Sequence, residues 1–273
     1  MNWHIKHHCL EFEYFPHEEV RISKINWRKY PGAIMARWTE NFDCKHQTEF
    51  WFCIKDAPFN IDVVKAKRRY EINKGIKNFY TQVINPVEYQ EALYAVYCDS
   101  LMGYNGNPTP ISREDFYKQT ERWSMIKEQI MFGCFRRDNG QLCGYSDVYR
   151  RDPYLPISSL KTIPSAEREG VNFALIYGIL EYFKSVLKEG AYICDGTRNI
   201  VHATHFQDFL LKYFDFRYAY CDLNVVYKFP FGFLIKVIFP FRKMIYHLCG
   251  MKLVPAGVKS ILLQEAWRQG KSE

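Results

Sequence analysis

The chain has 273 residues, 48% of them hydrophobic and 25% charged, which is enough to bury the core of one large domain or of one domain with a smaller partner. Its formal net charge of +7 is modest and spread along the chain. That charge would attract phosphate-bearing ligands or an anionic membrane surface, but it does not by itself indicate a nucleic-acid-binding protein. The nine cysteines include no C-x-x-C pair, which argues against a disulfide framework and a zinc site, so we expect most of them to be reduced and buried.

The N-terminal residues lack the pattern of a secretory signal, in which a charged segment precedes an apolar one and a small-residue cleavage site. No run approaches the roughly 18 consecutive apolar residues that span a bilayer. We therefore expect a cytoplasmic protein whose membrane contacts, if it makes them, are at the inner face.

Residues 1–60 alternate aromatic with polar side chains, as at 36–39 and 49–54. This alternation predicts a β-rich N-terminal extension of short strands. A basic helix is then predicted to start at Asp62 and to end at Gly75, because glycine commonly follows the last residue of a helix.

The middle of the chain shows turn signals between apolar runs. Asn139 and Gly140 accept the positive φ of a hairpin turn, and Ser112 followed by Glu114 and Asp115 is typical of a helix start. These patterns predict strands over 78–84, 129–135, 142–149 and 155–163, and helices from Pro86, from Ser112 and over 170–187.

The segment that follows has the order strand, polar loop, helix, strand. The first strand ends at 194–196, a short helix is predicted within 202–216, and a closing strand is predicted over 217–227.

The order strand, two helices, three antiparallel strands, long helix, strand, helix, strand over 78–227 resembles the GNAT acyltransferase fold. Its branch of Fem-type peptidoglycan aminoacyltransferases has a basic helix before the first strand, and residues 65–75 resemble that helix. The stretch 211–217 resembles the GNAT ending in which a short helix runs into Gly-Phe, with Asp215 where the glycine usually stands. The resemblance implies an α/β (α+β) fold with a mixed, mostly antiparallel sheet flanked by helices over 61–228, followed by an aromatic and basic tail over 229–273.

The resemblance also implies acyl transfer from a thioester or ester to an amine or hydroxyl. In the family, the donor's pyrophosphate lies against backbone amides at the start of the long helix, where unpaired N–H groups and the helix dipole favour anions. That position gives Arg168, Gly170 and Asn172 as donor-binding candidates here, with Asn199 from the later polar loop. The family's Arg/Gln-x-x-Gly-x-Gly/Ala spacing is not met, so an ordinary capped helix start is the alternative.

Four side chains are candidates for taking the nucleophile's proton. Asp195, His202 and His205 follow one another across the polar loop, and the pKa of an imidazole suits proton transfer near neutral pH. Asp147 lies within a central strand, where a carboxylate needs a wet cleft or a partner. For the first three residues, the alternative is that Asp195 lies in a turn and that one histidine caps or packs against the helix. For Asp147, the alternative is an ion pair with Arg150 or Arg151 near the strand end.

Leu211 stands where the family often has an acid tyrosine, so in an active enzyme a histidine or Asp147 would have to replace that group, or the nucleophile would lose its proton to water. We predict no metal site, because two histidines three apart with one carboxylate lack a second clear set of ligands.

Two further segments indicate partners. The basic helix over 65–77 is either a solvated face or a contact for the phosphates of a lipid-linked precursor or a tRNA. Residues 229–246 are aromatic and carry cations, which favours binding at a membrane interface, packing onto the domain or forming a dimer seam. A final amphipathic helix over 258–268 is expected to dock through Ile261, Leu262 and Trp267.

These features predict an acyltransferase that moves an acyl group from acetyl-CoA or another acyl-CoA to an amino or hydroxyl group of a cell-envelope polysaccharide, a sugar or a lipid-linked glycan precursor. A tRNA-dependent aminoacyl transferase of Fem type is one alternative, because the basic helix is present and the pyrophosphate loop is irregular. A non-catalytic GNAT-like protein that binds a glycan or a partner enzyme is another, because of Leu211.

Overall fold

The structure is a computed structural model that describes residues 3–22, 24–102, 108–200 and 205–271. The chain divides into two compact units. The terminal unit comprises Met1–Cys53, Thr197–His205 and Tyr218–Glu273, and the central unit comprises Ile54–Gly196 and Phe206–Arg217.

The described residues form eleven strands and ten α-helices. The strands are β1 (Trp3–Lys6), β2 (Cys9–Phe12), β3 (Met35–Glu40), β4 (Trp51–Lys55), β5 (Phe79–Val83), β6 (Gln129–Arg136), β7 (Leu142–Tyr149), β8 (Tyr154–Thr162), β9 (Tyr192–Thr197), β10 (Arg217–Tyr220) and β11 (Asp222–Tyr227). The helices are α1 (Ala66–Asn78), α2 (Gln90–Leu101), α3 (Arg113–Met125), α4 (Pro164–Glu167), α5 (Val171–Tyr182), α6 (Lys184–Lys188), α7 (Phe206–Tyr213), α8 (Phe231–Ile238), α9 (Arg242–Gly250) and α10 (Ala256–Arg268).

The sheet of the central unit has the strand order β9-β8-β7-β6-β5. Strands β5 to β8 pair antiparallel, whereas β9 pairs parallel to β8. Helices cover both faces of this sheet. Successive side chains of a strand point to opposite faces, so two neighbouring residues of β7 show which helix lies on each face. A Cβ at Gly144 of β7 would lie 3.4 Å from Val171 of α5, whereas the ring of the next residue, Tyr145, lies 6.5 Å from that of Trp123 in α3. The predicted fold class, a mixed and mostly antiparallel sheet flanked by helices, is confirmed.

The sheet of the terminal unit has the order β1-β2-β3-β11, antiparallel except for the β2–β3 pair. Its core contains Leu10, Phe12, Ala36 and Trp38. A second cluster joins Ile235 and Phe239 to Leu262 and Ala266 of α10. The predicted docking of the last helix is confirmed, since Leu262 is fully buried and Trp267 is only 4% exposed.

The predicted hairpin and helix cap are present, but two predicted helix ends are wrong. The turn before β7 has Gly140 at φ 72°, and the Ser112 hydroxyl accepts a hydrogen bond from the backbone N–H of Asp115 at 3.1 Å, as predicted. However, α1 does not end at Gly75 but continues to Asn78, and α2 begins at Gln90, four residues after Pro86.

Two long predicted elements are interrupted. The helix predicted over 170–187 is two helices, α5 and α6, that meet at Phe183. The closing strand predicted over 217–227 is two strands, β10 and β11, separated at Cys221.

The predicted division of the chain into 1–60, 61–228 and 229–273 differs from the compact units, since the N-terminal strands and the tail both belong to the terminal unit.

The tail is helical rather than extended, and it forms α8, α9 and α10. Among the described residues, no helix combines the length and the apolar character needed to cross a bilayer. Six of the nine cysteines are buried, as predicted: Cys9, Cys53, Cys134, Cys143, Cys194 and Cys221.

Candidate functional site

The parallel strands β8 and β9 pair over only part of their length. Their register joins Tyr154 to Tyr192, Leu155 to Ile193 and Pro156 to Cys194, and there the pairing ends. Strand β8 nevertheless continues to Thr162 and β9 to Thr197. The pairing of the two strands therefore ends before their carboxyl ends, leaving a gap between them in the sheet of the central unit.

A β-bulge lies in β8 beside this gap. Asp147 of β7 is opposite Ser159, but the next residue, Val148, is opposite Ile157, so Ser158 is the extra residue. A bulge leaves the extra residue outside the regular ladder and redirects its backbone groups. A backbone N–H so freed is the kind of donor that stabilises an oxyanion.

Asp195 is the first residue of β9 beyond the last pair with β8. Its carboxyl is partly exposed, and burial raises its pKa from 3.8 to about 7, while a hydrogen bond from the Gln207 side chain opposes the rise. The Gln207 amide also donates to the backbone oxygen of Asp195 at 3.2 Å. A carboxyl that titrates near neutral pH can take and release a proton during a reaction.

Asp147 is buried, with 2% of its surface exposed, and faces the α3 side of the sheet. Its carboxylate does not pair with the adjacent arginines. It accepts hydrogen bonds from the Ser159 hydroxyl and from the Gln129 amide, the latter at 2.8 Å. Burial raises the pKa of Asp147, and these hydrogen bonds oppose the rise.

A cavity of about 520 Å³ lies where β5 ends and β6 begins. It is lined by Val83 to Val87, Trp123, Gln129 and Tyr182, among others. Gln129 connects this cavity to Asp147. Its amide nitrogen is held by Asp147, while no donor among the described residues reaches its buried Oε1. A buried carbonyl oxygen without a donor is uncommon, and it is suited to accept a hydrogen bond from a ligand.

The start of α5, predicted to bind the donor's phosphates, is in contact with α1. A Cβ built on Gly75 would lie 2.5 Å from the carbonyl oxygen of Gly170, so the two backbones touch. Lys74 donates to the carbonyl oxygen of Arg168 at 2.7 Å, and Asn78 donates to that of Glu169 at 2.9 Å. The residues just before α5 are therefore held by α1.

The predicted donor-binding residues at this helix start have different surroundings. The Arg168 side chain is exposed, and Gly170 is buried at φ 102°. The Asn172 Oδ1 accepts a hydrogen bond from Thr162 at 3.2 Å. Glu169, between them, forms an ion pair with Arg136, and this pair lowers the pKa of Glu169.

The remaining predicted residues do not lie in the central unit. Asn199 and His205 belong to the terminal unit, and His202 falls outside the described residues. Arg198, beside Asn199, has a structural role in that unit: its guanidinium donates to Glu49 Oε2 at 2.9 Å and lies 4.3 Å from the centre of the Trp267 ring.

In the part of the chain that is described, no group of three or more His, Cys, Asp or Glu side chains is arranged to hold a metal ion. Cys194 lies beside the gap, but burial raises the pKa of its thiol to about 12, so it is not a thiolate nucleophile near neutral pH.

The central unit has the element order that the resemblance to the GNAT fold predicts. Strand β5, helices α2 and α3, strands β6 to β8, helix α5, strand β9 and helix α7 follow in that order, and the parallel pair of strands diverges.

No protein-family model and no curated protein match this chain. Solved structures with low identity do. A GNAT family acetyltransferase from Staphylococcus aureus is 16% identical with a TM-score of 0.33, over 40% of this chain and 80% of that one. L-PGS from Bacillus licheniformis is 13% identical with a TM-score of 0.44, over 90% and 69%. The PaiA N-acetyltransferase from Thermoplasma acidophilum, in complex with coenzyme A, is 15% identical with a TM-score of 0.32, over 41% and 74%.

The sequence pattern indicated Asp147 and Asp195 in the central unit but gave no signal for Ser158 or Gln129, and it assigned Gly75 to a helix end. The bulge at Ser158 depends on how β8 aligns with β7, which no local pattern reveals. Gly75 could have been suspected from its place within an otherwise unbroken helical pattern, where glycine is unfavourable unless a neighbour needs the space.

Proposed function

We propose that the central unit is an acyltransferase whose acyl donor binds in the gap between β8 and β9. The observation that supports this proposal most strongly is the end of the β8–β9 pairing at Pro156 and Cys194. The Ser158 bulge lies in β8, on one side of the gap. Asp195, whose carboxyl has a pKa raised to about 7, lies in β9 on the other side, just beyond the last β8–β9 pair.

The proposed chemistry needs only groups beside this gap. The acceptor's amine or hydroxyl attacks the carbonyl carbon of the donor's thioester or ester, and the Asp195 carboxylate takes the proton that the acceptor loses. A backbone N–H freed at the Ser158 bulge stabilises the oxyanion of the tetrahedral intermediate. The bond to the leaving group then breaks, and the proton held by Asp195 passes to the departing thiolate or alkoxide.

The donor in this proposal is acetyl-CoA or another acyl-CoA, and the acceptor is an amino or hydroxyl group of a sugar or lipid-linked glycan precursor. The sugar or glycan substrate would bind in the cavity that Gln129 lines. There the Gln129 Oε1 can accept a hydrogen bond from the substrate, since no donor among the described residues reaches it. Asp147 is then a positioning residue, because it holds the amide nitrogen of Gln129.

One observation favours a second donor, an aminoacyl-tRNA. Because α1 touches the residues just before α5, it occupies part of the space beside that helix start. Helix α1 also presents exposed Lys67 and Lys77 beside an exposed Tyr70, a combination suited to phosphates and a stacked base.

The test is a transfer assay with the purified protein. Acetyl-CoA and longer acyl-CoAs are offered with amino and hydroxyl sugars, and release of free CoA is followed. We expect turnover that falls by about 100-fold or more in Asp195→Asn, the usual effect of removing a general base, while donor affinity changes less than twofold.

The other outcomes separate the alternatives. Turnover with aminoacyl-tRNA but with none of the acyl-CoAs would identify the second donor. Binding of a glycan without turnover from either donor would contradict acyl transfer and leave a non-catalytic GNAT-like binding protein.

A further inference from the structure

The helical tail of the terminal unit carries a stripe of exposed apolar side chains. Phe229 is 86% exposed, Phe233 66%, Val237 51% and Phe241 58%. Phe233 and Val237 are four residues apart in α8, so helical geometry places them on one side, while Phe229 lies just before that helix and Phe241 just after it. Met244 in α9 and Leu234 in α8 are also exposed, at 58% and 48%, and extend the apolar surface.

The stripe is not the face by which α8 joins its own unit. The opposite side of the same segment supplies Ile235 and Phe239, which are buried against Leu262 and Ala266 of α10. The tail is thus apolar on both sides, with one side packed and the other exposed. An exposed contiguous apolar surface of this kind usually marks a contact with a partner or a membrane.

The charges around the stripe have one sign. Residues 223–264 contain no aspartate and no glutamate. The same stretch contains six cationic side chains, Lys228, Lys236, Arg242, Lys243, Lys252 and Lys259. Lys236 and Lys243 are exposed within the helices that carry the stripe. A protein-binding surface is usually a mixture of charges, whereas an apolar face bordered by lysine and arginine alone is typical of a helix that lies in a membrane interface.

We propose that α8 and α9 dock on an anionic lipid bilayer, with the rings of Phe229, Phe233 and Phe241 among the upper acyl chains and Lys236 and Lys243 at the headgroups. Phenylalanine rings and long lysine stems suit these two depths. The negative surface potential of such a bilayer attracts each nearby cation. The proposal concerns the terminal unit and does not depend on the acyl-transfer chemistry of the central unit.

A second copy of the chain fits this surface less well. In a two-fold symmetric dimer the same patch faces itself, so the lysines of one copy would lie opposite those of the other without a carboxylate between 223 and 264 to compensate. Like charges brought together at an interface disfavour the complex.

The experiment is co-flotation of the full-length protein with vesicles. One set is pure phosphatidylcholine, and the other contains about one third phosphatidylglycerol. We expect at least about tenfold tighter binding to the anionic vesicles, weakening with added salt as screening predicts. Phe233→Ser with Phe241→Ser should reduce binding to both sets, and Lys236→Glu with Lys243→Glu should reduce binding to the anionic set about tenfold.

Matched controls lie in the central unit. Met125 is 78% exposed and Lys127 is exposed, so Met125→Ser and Lys127→Glu change the same kinds of side chain away from the stripe and should leave flotation unchanged. Circular dichroism melting of every variant checks the fold.

Three results would overturn the proposal: no flotation, equal flotation of the wild type and the stripe variants, or flotation insensitive to lipid charge. Light scattering of the protein without lipid identifies the other occupant. A dimer that the phenylalanine variants dissociate, in a protein that does not float, would mean that a second copy covers the stripe.

Discussion

Gly75 in α1 and Gly170 at the start of α5 touch through their backbones. A Cβ on Gly170 would lie 2.7 Å from the Cα of Gly75, and one on Gly75 would lie 2.9 Å from the Cβ of Phe173. Real Cβ atoms are not found so near backbone atoms, so neither position can hold a larger residue without moving a helix. This contact fixes the basic helix α1 against the start of α5.

Gly75→Ala should therefore lower the free energy of unfolding by about 2 kcal/mol or more, because overpacking outweighs the gain in helix propensity. Denaturant unfolding measures the change. The control is Gly257→Ala in α10, where a Cβ meets nothing within 4 Å, and it should be neutral or slightly stabilising. A stabilised Gly75→Ala variant would contradict the close approach of the two helices.

Asp195 should make stability depend on pH. Its pKa is about 7 in the folded protein and near 4 in an unfolded chain, so between these values the folded state binds more protons. Its contribution to stability is therefore largest below pH 4, declines as pH rises from about 4 to 7, and is constant above.

Asp195→Asn removes this dependence. The variant should be more stable than the wild type at pH 8 by about 2 kcal/mol, allowing for the partial exposure of the carboxyl, and the difference should vanish near pH 4. Thermal unfolding at a series of pH values measures it. Parallel curves for the two proteins between pH 4 and 8 would mean that the Asp195 pKa is not raised.

Arg198 should contribute to the stability of the terminal unit through its shape as well as its charge. It donates to Glu49 and stacks on Trp267, two contacts that a lysine cannot make together. Arg198→Lys should cost about 1–2 kcal/mol. Arg113→Lys, at an exposed pair with Glu91, should cost less than about 0.5 kcal/mol. Equal losses in the two variants would contradict the structural role of Arg198.

Asp215 has a left-handed backbone at φ 56°, in the position where the GNAT ending usually has glycine. Its carboxylate lies 3.3 Å from the buried amine of Lys55. Asp215→Ala and Asp215→Gly both lose that ion pair, so the difference between them reports the backbone. We expect the alanine variant to be less stable than the glycine variant by about 1 kcal/mol, measured by urea unfolding. An alanine variant as stable as the glycine variant would show that this backbone carries no strain.

Local chemistry explains which parts of the fold were predictable. The hairpin around Gly140 and the cap at Ser112 depend on residues within a few positions of each other, and both were predicted correctly. The role of Gly75 depends on Gly170, far away in the sequence, so the same glycine was misread as a helix end. The break at Cys221 was missed because the residues around it favour a strand on both sides.

The candidate site was predictable to a similar extent. A carboxylate near the end of a buried strand is visible in the sequence, and this signal found Asp195 and Asp147. The separation of β8 from β9 and the bulge at Ser158 arise from strand register, which follows from packing rather than from any one residue.

The most direct test of the central claim is hydrogen–deuterium exchange of the full chain with and without acyl donors, using acetyl-CoA, a longer acyl-CoA and an aminoacyl-tRNA in separate samples. If the donor binds between β8 and β9, at least one of them should slow exchange in peptides covering 157–162 and 194–196. Protection confined to other segments, or no protection by any donor at saturating concentration, would contradict the proposal that this gap holds the acyl group.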